Sequence, residues 1–262
     1  MIFEVIKDCI KLALIGLILF FFFRRYVRWR RPELSAAVEQ HRVVILMVLG
    51  LVLTGIKVSE DALTGESGPM DKAILMFVHQ HVPAGLTRFF EAVTITGSFR
   101  FFLPLLVVIT VAFAAFKRWF EVLLLVGSSC AGGLIIYLVK AVTARDRPAL
   151  WETRWYWGTS FPSGHTLETA CVSMALALCL GNVWPEGRLQ FRVAALVWLG
   201  LVGFSRLVLG VHWPTDVMAA ACIGLLIPIG MRLILARISL VKSHPSELKP
   251  RNEKEEETTP GT

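Results

Sequence analysis

The chain has 262 residues, of which 55% are hydrophobic and only 18% are charged, and its formal net charge is +7. Soluble domains carry about 25% charged residues, whereas this chain has a mean hydropathy of +0.62 and apolar runs of nearly membrane-spanning length. These values argue against a soluble enzyme, a nucleic-acid-binding protein and a disulfide-stapled secreted domain. They predict an all-α protein that crosses a membrane several times.

Seven apolar segments are predicted to be helices. They cover residues 10–23, 43–56, 101–116, 122–139, 167–183, 193–204 and 217–234. The first is interrupted by Lys11 and is followed by a basic cluster rather than by a cleavage site, so we interpret it as an extra N-terminal helix and not as a signal peptide. Several others are shorter than the roughly 20 residues that a span needs, and we expect their helices to extend into the flanking residues.

The segments divide the chain into three regions. Residues 1–42 are predicted to form an N-terminal membrane segment with a basic cytoplasmic linker, and residues 43–236 to form a core of six transmembrane helices. Residues 237–262 are polar and rich in glutamate, which is typical of a disordered cytoplasmic tail. Within the long connection 59–100, residues 70–77 and 86–93 have mixed apolar and polar faces, which predicts short helices at the membrane interface.

Basic residues predict the orientation of the helices. The first connection is crowded with arginines and is therefore placed in the cytoplasm by the positive-inside rule. These are Arg24, Arg25, Arg28, Arg30, Arg31 and Arg42. Alternation then places residues 59–100, 141–165 and 205–216 on the outer side. The segment 141–165 departs from the rule because it contains Arg145, Arg147 and Arg154, and we interpret this departure as a sign of anion binding.

Other polar and aromatic residues of the outer segments have structural interpretations. Trp151, Trp155, Tyr156 and Trp157 beside Arg154 are interpreted as an aromatic belt at the membrane interface. His79 and His81 lie two residues apart with no third ligand nearby, so no metal site is predicted. Asp146 is interpreted as a partner of Arg145.

Polar residues of three outer sites are not explained by insertion into a membrane. The sites are residues 140–148, 161–165 and 205–216. Each lies at an end of an apolar segment, and the predicted topology places all three on the same side. Ionisable groups at membrane depth are costly, which makes them candidate functional residues.

The cations of these sites suit a phosphate group. Lys140, Arg147 and Arg206 supply positive charge, and guanidinium groups bind phosphate oxygens in bidentate geometry. Ser163 offers a hydroxyl group, and Gly164 leaves a backbone N–H accessible at the start of a helix, where anions bind. These residues predict a phosphate-binding site without a metal or another cofactor.

Two histidines could supply the chemistry. His212 and Asp216 are four residues apart, so one helical turn would place them on the same face. A carboxylate on one ring nitrogen fixes the tautomer and stabilises the imidazolium, which leaves the other nitrogen to attack phosphorus. His165 could act as the general acid for the leaving oxygen. Glu168, one turn later, is interpreted as a hydrogen-bonding residue of the helix end rather than as a modulator of a histidine.

Together the three sites resemble the signature of the type 2 phosphatidic acid phosphatase (PAP2) family, K-x6-R-P, P-S-G-H and S-R-x5-H-x3-D. The resemblance covers about residues 43–236 and implies a six-helix PAP2 core. It also implies that His212 is the nucleophile and forms a phosphohistidine, that Asp216 orients it, and that His165 protonates the leaving group. By the same resemblance, the phosphoryl group is held by Lys140, Arg147, Ser163, Gly164 and Arg206.

The resemblance predicts a lipid phosphatase of a bacterial inner membrane with its active site on the periplasmic face. Its substrate would be a phosphate or pyrophosphate ester of a lipid, such as phosphatidic acid, phosphatidylglycerophosphate, undecaprenyl pyrophosphate or lipid A. A lipid phosphotransferase of the same family would use the same residues and stays an alternative. A lipid-binding or transport protein without activity is a further alternative, which the intact histidines argue against. The expected partners are the lipid and the bilayer, and the oligomeric state stays open.

Overall fold

A computed structural model describes residues 2–151 and 158–243. These two ranges contain ten α-helices, three short 3₁₀ turns and no β-strand. The helices are α1 (Ile2–Arg30), α2 (Ser35–Gln40), α3 (Arg42–Thr64), α4 (Gly68–His81), α5 (Thr87–Thr96), α6 (Phe99–Ala115), α7 (Trp119–Val142), α8 (Gly164–Val183), α9 (Arg188–Val208) and α10 (Pro214–Ser243). The predicted all-α fold is confirmed. Of the predicted tail, residues 237–243 continue α10, because the helix extends beyond its apolar run, and residues 244–262 lie outside the described residues.

Five helices are long and apolar enough to cross a membrane. These are α3, α7, α8, α9 with the turn before it, and α10. A sixth span is obtained only if residues 84–115 are counted as one broken span. The two helices of this segment, α5 and α6, are bent by 46° relative to each other at the break between them. The predicted count of six spans therefore depends on this bent pair. Helix α1 is present where an N-terminal helix was predicted, but it is not among the candidate spans and packs mainly against α3.

Helix α8 lies at the centre of the bundle. It packs against α7, α9 and α10, and α10 also packs against α3. Small residues allow this close packing: a Cβ added at Gly224 of α10 would lie 2.5 Å from the Leu167 carbonyl oxygen of α8. Since α8 is covered on all sides, its buried residues extend around the whole helix, as expected for the central helix of a bundle.

The outer faces of the bundle are apolar. Val108 and Val111 of α6 are more than half exposed, as are Tyr137 of α7 and Leu233 of α10. Large apolar faces of this kind are unfavourable in water and are typical of helices that contact lipid. Together with the candidate spans, they identify an integral membrane protein.

The fold brings the ends of four central helices together on one side of the bundle. Helices α7 and α9 end there, and helices α8 and α10 begin there. Helix α4 includes the segment 70–77 and α5 includes residues 87–93 of the second segment that was predicted to lie at the interface. Both helices pack against α9, and α4 also packs against α10. The three motifs thus meet at one end of the bundle, beneath α4 and α5.

Candidate active site

Arg147 connects two parts of the site. Its Nε donates to the Gly158 carbonyl oxygen at 3.1 Å, and its Nη1 donates to the Val211 carbonyl oxygen at 2.9 Å and to Nε2 of His212 at 3.2 Å. Lys140, in the last turn of α7, donates from Nζ to the Thr159 carbonyl oxygen at 2.5 Å. The loop before α8 is therefore held by the two cations of the first motif.

Arg206 is the largest fully buried side chain in the part of the chain that the structure describes, with 1% of its surface exposed. It lies in the last turn of α9, and its Nη1 donates to Oγ1 of Thr94 in α5 at 2.6 Å. Arg147 and Arg206 both lie within electrostatic range of Lys140 and of His165. The structure thus brings Arg147 and Arg206 close both to Lys140 and to the predicted general acid.

The P-S-G-H motif forms the start of α8. Ser163 precedes the first helical residue, Gly164, and its Oγ lies 3.0 Å from Oγ1 of Thr166. The first N–H groups of a helix have no partner within the helix, and they carry partial positive charge. A Cβ added at Gly164 would meet only Ile136, at 3.7 Å, so the backbone here is open to a ligand. Ser163 and Gly164 therefore lie where an anion can bind.

His212 lies in the short connection between α9 and α10 and is 2% exposed. Because Arg147 donates to Nε2, this nitrogen carries the lone pair, and the proton is on Nδ1. Nδ1 lies 3.6 Å from Oδ2 of Asp216, which is longer than a hydrogen bond, and it has no closer acceptor among the described residues. Asp216 thus acts on His212 as a nearby charge, and the tautomer is the one that leaves Nε2 available for attack on phosphorus.

Burial lowers the pKa of His212 to about 4 in the ligand-free protein. The Asp216 carboxylate offsets this effect in part, and Arg206 and Arg147 add to it because they repel a second positive charge. An imidazole with a lowered pKa is neutral at physiological pH, as a nucleophile must be.

We expect the ring nitrogens of His212 to titrate near pH 4 in the ligand-free protein, well below the usual histidine range near 6.5. The unfolded chain then binds the proton more tightly, so this residue's contribution to the free energy of unfolding decreases as the pH falls from 6.5 to 4. Histidine-selective ¹⁵N NMR in detergent measures the titration, and the spectrum of His212→Asn assigns the signal. A midpoint at or above 6.5 would contradict the buried, neutral state.

Several polar contacts of the site were not predicted. Arg145 forms ion pairs with Asp71 of α4 and with Asp216, at 2.7 and 2.5 Å. The interpretation of Asp146 as its partner is therefore wrong, because the Arg145 side chain points to these two buried carboxylates instead. Ser160 donates to Oδ2 of Asp216 as well. Arg145 and Ser160, which contact Asp216 directly, both lie in the connection before α8, and Asp71 of the connection 59–100 is linked to Asp216 through Arg145.

Two other predictions concern the margins of the site. Glu168 accepts a hydrogen bond from Ser129 of α7, which agrees with its interpretation as a hydrogen-bonding residue, although the bond joins two helices. Trp151 stacks on His79 with ring centroids 4.0 Å apart. The other residues of the predicted aromatic belt, together with Arg154, lie outside the described residues.

Comparison with known proteins agrees with this arrangement. The model of the PAP2 superfamily matches residues 121–239, which include all three motifs. Phosphatidylglycerophosphatase B of Bacillus subtilis is 30% identical over 146 residues, which are 54% of this chain and 71% of that protein. The chain belongs to the PAP2 superfamily. Membership of this superfamily, together with the phosphatase names of its relatives, indicates a phosphoric ester hydrolase.

Other relatives are also membrane lipid phosphatases. Lipid A 1-phosphatase of Rhizobium johnstonii is 29% identical over 119 residues, which are 42% of this chain and 46% of that protein. The crystal structure of the PAP2-type phosphatidylglycerolphosphate phosphatase from Bacillus subtilis superposes with a TM-score of 0.68 and 27% identity, over 73% of this PAP2 chain and 96% of that one. The relatives share the class of reaction and differ in the lipid that their names give.

Proposed function

We propose that this PAP2 protein hydrolyses the terminal phosphate of a lipid phosphate or pyrophosphate through a phosphohistidine on His212. Nε2 of His212 forms a bond to phosphorus, while the bond between phosphorus and the lipid oxygen breaks. His165 donates a proton to that oxygen, and the lipid alcohol or lipid monophosphate leaves. Water then attacks the phosphohistidine, His165 takes a proton from the water, and inorganic phosphate is released with His212 restored.

Each of the eight predicted site residues has a role in this reaction. We assign binding of the phosphoryl group to the three cations of the site, the Ser163 hydroxyl and the open start of α8, and we assign orientation of the nucleophile to Asp216. The binding residues are Lys140, Arg147, Ser163, Gly164 and Arg206. Cations that surround the phosphoryl oxygens stabilise the charge that develops in the transition state.

The observation that carries the proposal is an apolar groove that ends at the catalytic residues. It has a volume of about 680 Å³ and is lined by α6, α7 and the start of α8. Apolar side chains such as Leu103, Val107 and Ile136 form most of its wall, and Gly164 and His165 lie at its end. A lipid tail fits such a wall, and a head group at the end of the groove would lie beside the cations.

We further propose that the protein lies in a bacterial inner membrane, with this site on the periplasmic side. The arginines around α1 and α2 support a cytoplasmic position for the opposite end. Substrate would then enter sideways from the outer leaflet, and the catalytic core would comprise residues 43–236.

Phosphate release from a panel of lipids tests the proposal. The purified protein is given phosphatidic acid, phosphatidylglycerophosphate, undecaprenyl pyrophosphate and lipid A in liposomes, with a chelator present. We expect release from at least one lipid. An absence of release from all of them contradicts hydrolysis, and the same panel with an added acceptor lipid then detects phosphoryl transfer.

A variant in the groove makes the test specific for the lipid tail. Gly133 lines the groove, and a Cβ there meets nothing within 4 Å, so Gly133→Leu fills the groove without clashing with the backbone. We expect kcat/KM for a long-chain lipid phosphate to fall roughly tenfold, with a smaller loss for a short-chain analogue. Gly200→Leu is the matched control, because Gly200 is equally open and lies on α9 outside the groove lining. Equal effects of the two variants would contradict binding of the tail in the groove.

A further inference from the structure

We propose that Asp71 and Arg145 are positioning residues for this reaction, because they hold Asp216 in its orientation toward His212. The inference rests on the proposed role of His212 as the nucleophile. Neither residue is a signature position: Arg145 is one of the six variable positions between Lys140 and Arg147, and Asp71 lies about seventy residues before the first motif. Helix α4 would thereby belong to the catalytic apparatus, although it contributes no group that contacts phosphate.

Arg145 joins two carboxylates that are both fully buried. Its Nη1 donates to Oδ1 of Asp216 at 2.5 Å, and its Nη2 donates to Oδ2 of Asp71 at 2.7 Å. The Arg145 side chain is only 13% exposed, so these ion pairs are largely shielded from water and salt. A planar guanidinium that binds a different carboxylate with each terminal nitrogen has little freedom to rotate. The distance between α4 and the start of α10 is therefore fixed through this one side chain.

Asp71 is in turn held by the residues around it. Its Oδ2 also accepts hydrogen bonds from Oγ of Ser67 at 2.8 Å and from Oγ1 of Thr215 at 2.7 Å. Its Oδ1 accepts the backbone N–H of Thr215 at 3.0 Å. Asp71 therefore binds both the guanidinium that contacts Asp216 and the backbone of the residue directly before Asp216. A buried carboxylate with this many donors keeps a single position.

Because Arg145 binds Oδ1 of Asp216, the other carboxylate oxygen, Oδ2, also has a defined position. While Oδ1 faces Arg145, Oδ2 accepts from Oγ of Ser160 and from the Trp213 backbone N–H, and it lies 3.6 Å from Nδ1 of His212. The imidazole becomes positively charged when Nε2 bonds to phosphorus, and a carboxylate near Nδ1–H stabilises that charge. If Asp71 loses its charge, Asp216 is the only described carboxylate that remains paired with Arg145. The Asp216 carboxylate is then drawn toward the Arg145 guanidinium and away from His212.

Asp71→Asn tests the proposal, because it removes the charge while keeping the shape of the side chain. We expect kcat to fall roughly 10- to 100-fold, as for other groups that orient a catalytic residue. KM should change less than about threefold, since Asp71 does not bind the phosphate. Asp61→Asn is the matched control: Asp61 lies near the same end of the bundle, but its carboxylate pairs with Lys57 at 2.6 Å, and we expect wild-type kcat.

A double-mutant cycle asks whether Asp71 acts through Asp216. In an Asp216→Asn background, Asp71→Asn should have little further effect on kcat, since the group that it positions has been neutralised. Full additivity of the two losses would overturn the proposal. Arg145→Lys is a second variant that keeps the positive charge but lacks the fork that reaches both carboxylates. We expect it to lower kcat with little change in KM, and wild-type kcat in this variant would overturn the proposal as well.

A measurement that does not depend on turnover separates this inference from the proposed function. We expect Asp71→Asn to shift the ¹⁵N resonance of His212 Nδ1 in the ligand-free protein, and Asp61→Asn to leave it unchanged. An unchanged resonance in Asp71→Asn, in a protein that unfolds at the wild-type temperature, overturns the positioning role. If the resonance shifts while the wild-type protein releases phosphate from no lipid, the proposed function fails and the link between Asp71 and His212 stands.

Discussion

Replacement of His212 by alanine is expected to lower phosphate release at least about 10⁴-fold, because the variant lacks the proposed nucleophile. The imidazole is 2% exposed, and its Nε2 accepts a hydrogen bond from Arg147, one of the cations that would bind the phosphoryl group. Alanine leaves these cations in place, so the variant should still bind the lipid. The loss should therefore appear in kcat rather than in KM. Initial rates of phosphate release from liposomes measure both constants.

The same substitution at an exposed histidine provides the control. His41 lies at the end of α2, near the opposite end of the bundle, and His41→Ala is expected to keep wild-type activity. Thermal unfolding of both variants in detergent establishes that each is folded. Residual activity of more than a few per cent in folded His212→Ala would show that another group attacks phosphorus.

Replacement of His165 by alanine is expected to reduce kcat by about 10²- to 10⁴-fold for a lipid phosphate monoester, the usual range for the loss of a general acid. A lipid alkoxide is a poor leaving group and needs a proton as the bond to phosphorus breaks. A lipid-like aryl phosphate has a far better leaving group, so His165→Ala should form the phosphoenzyme from it at a nearly normal rate. Hydrolysis of that phosphoenzyme should stay slow, because the variant also lacks the base that activates water. We therefore expect a burst of aryl alcohol followed by a slow steady state.

His81→Ala is the matched control for this experiment. His81 is exposed in the last turn of α4, and its Nδ1 lies 2.9 Å from the Phe77 carbonyl oxygen. It is not one of the predicted site residues. Its kinetics with both substrates should match those of the wild-type protein. An equal loss for the alkyl and aryl substrates in His165→Ala would contradict the role of His165 as the general acid.

The sequence predicted the parts of the fold and of the site that depend on local pattern. Apolar runs located the central helices, because burial in lipid requires long apolar segments whatever their tertiary contacts are. The spacing of His212 and Asp216 predicted their proximity, since His212 lies two residues before α10 begins and Asp216 lies in the first turn of that helix. The motif residues lie at helix ends that the predicted topology places on one side. These relations depend only on helix geometry and on a chain that crosses the membrane in alternating directions.

The contacts that were missed are all between distant parts of the chain. Asp71 was assigned only to an amphipathic segment, and its partner Arg145 was expected to pair with the adjacent Asp146. Nothing in the pattern of residues 70–77 distinguishes a carboxylate that turns into the bundle from one that faces water. The distinction depends on how α4 packs against α9 and α10, which is a property of the tertiary structure. The bend between α5 and α6 was missed for the same reason.

The most direct test of the account is to trap the covalent intermediate. The protein is mixed with a lipid phosphate labelled with radioactive phosphorus, quenched in alkali within its first turnovers, and digested. We expect label that is stable in alkali, is lost in acid and maps to the peptide containing His212, with no label in His212→Ala. Label on a different residue, or release of phosphate by the wild-type protein without any labelled intermediate in rapid-quench experiments, would contradict the phosphohistidine mechanism.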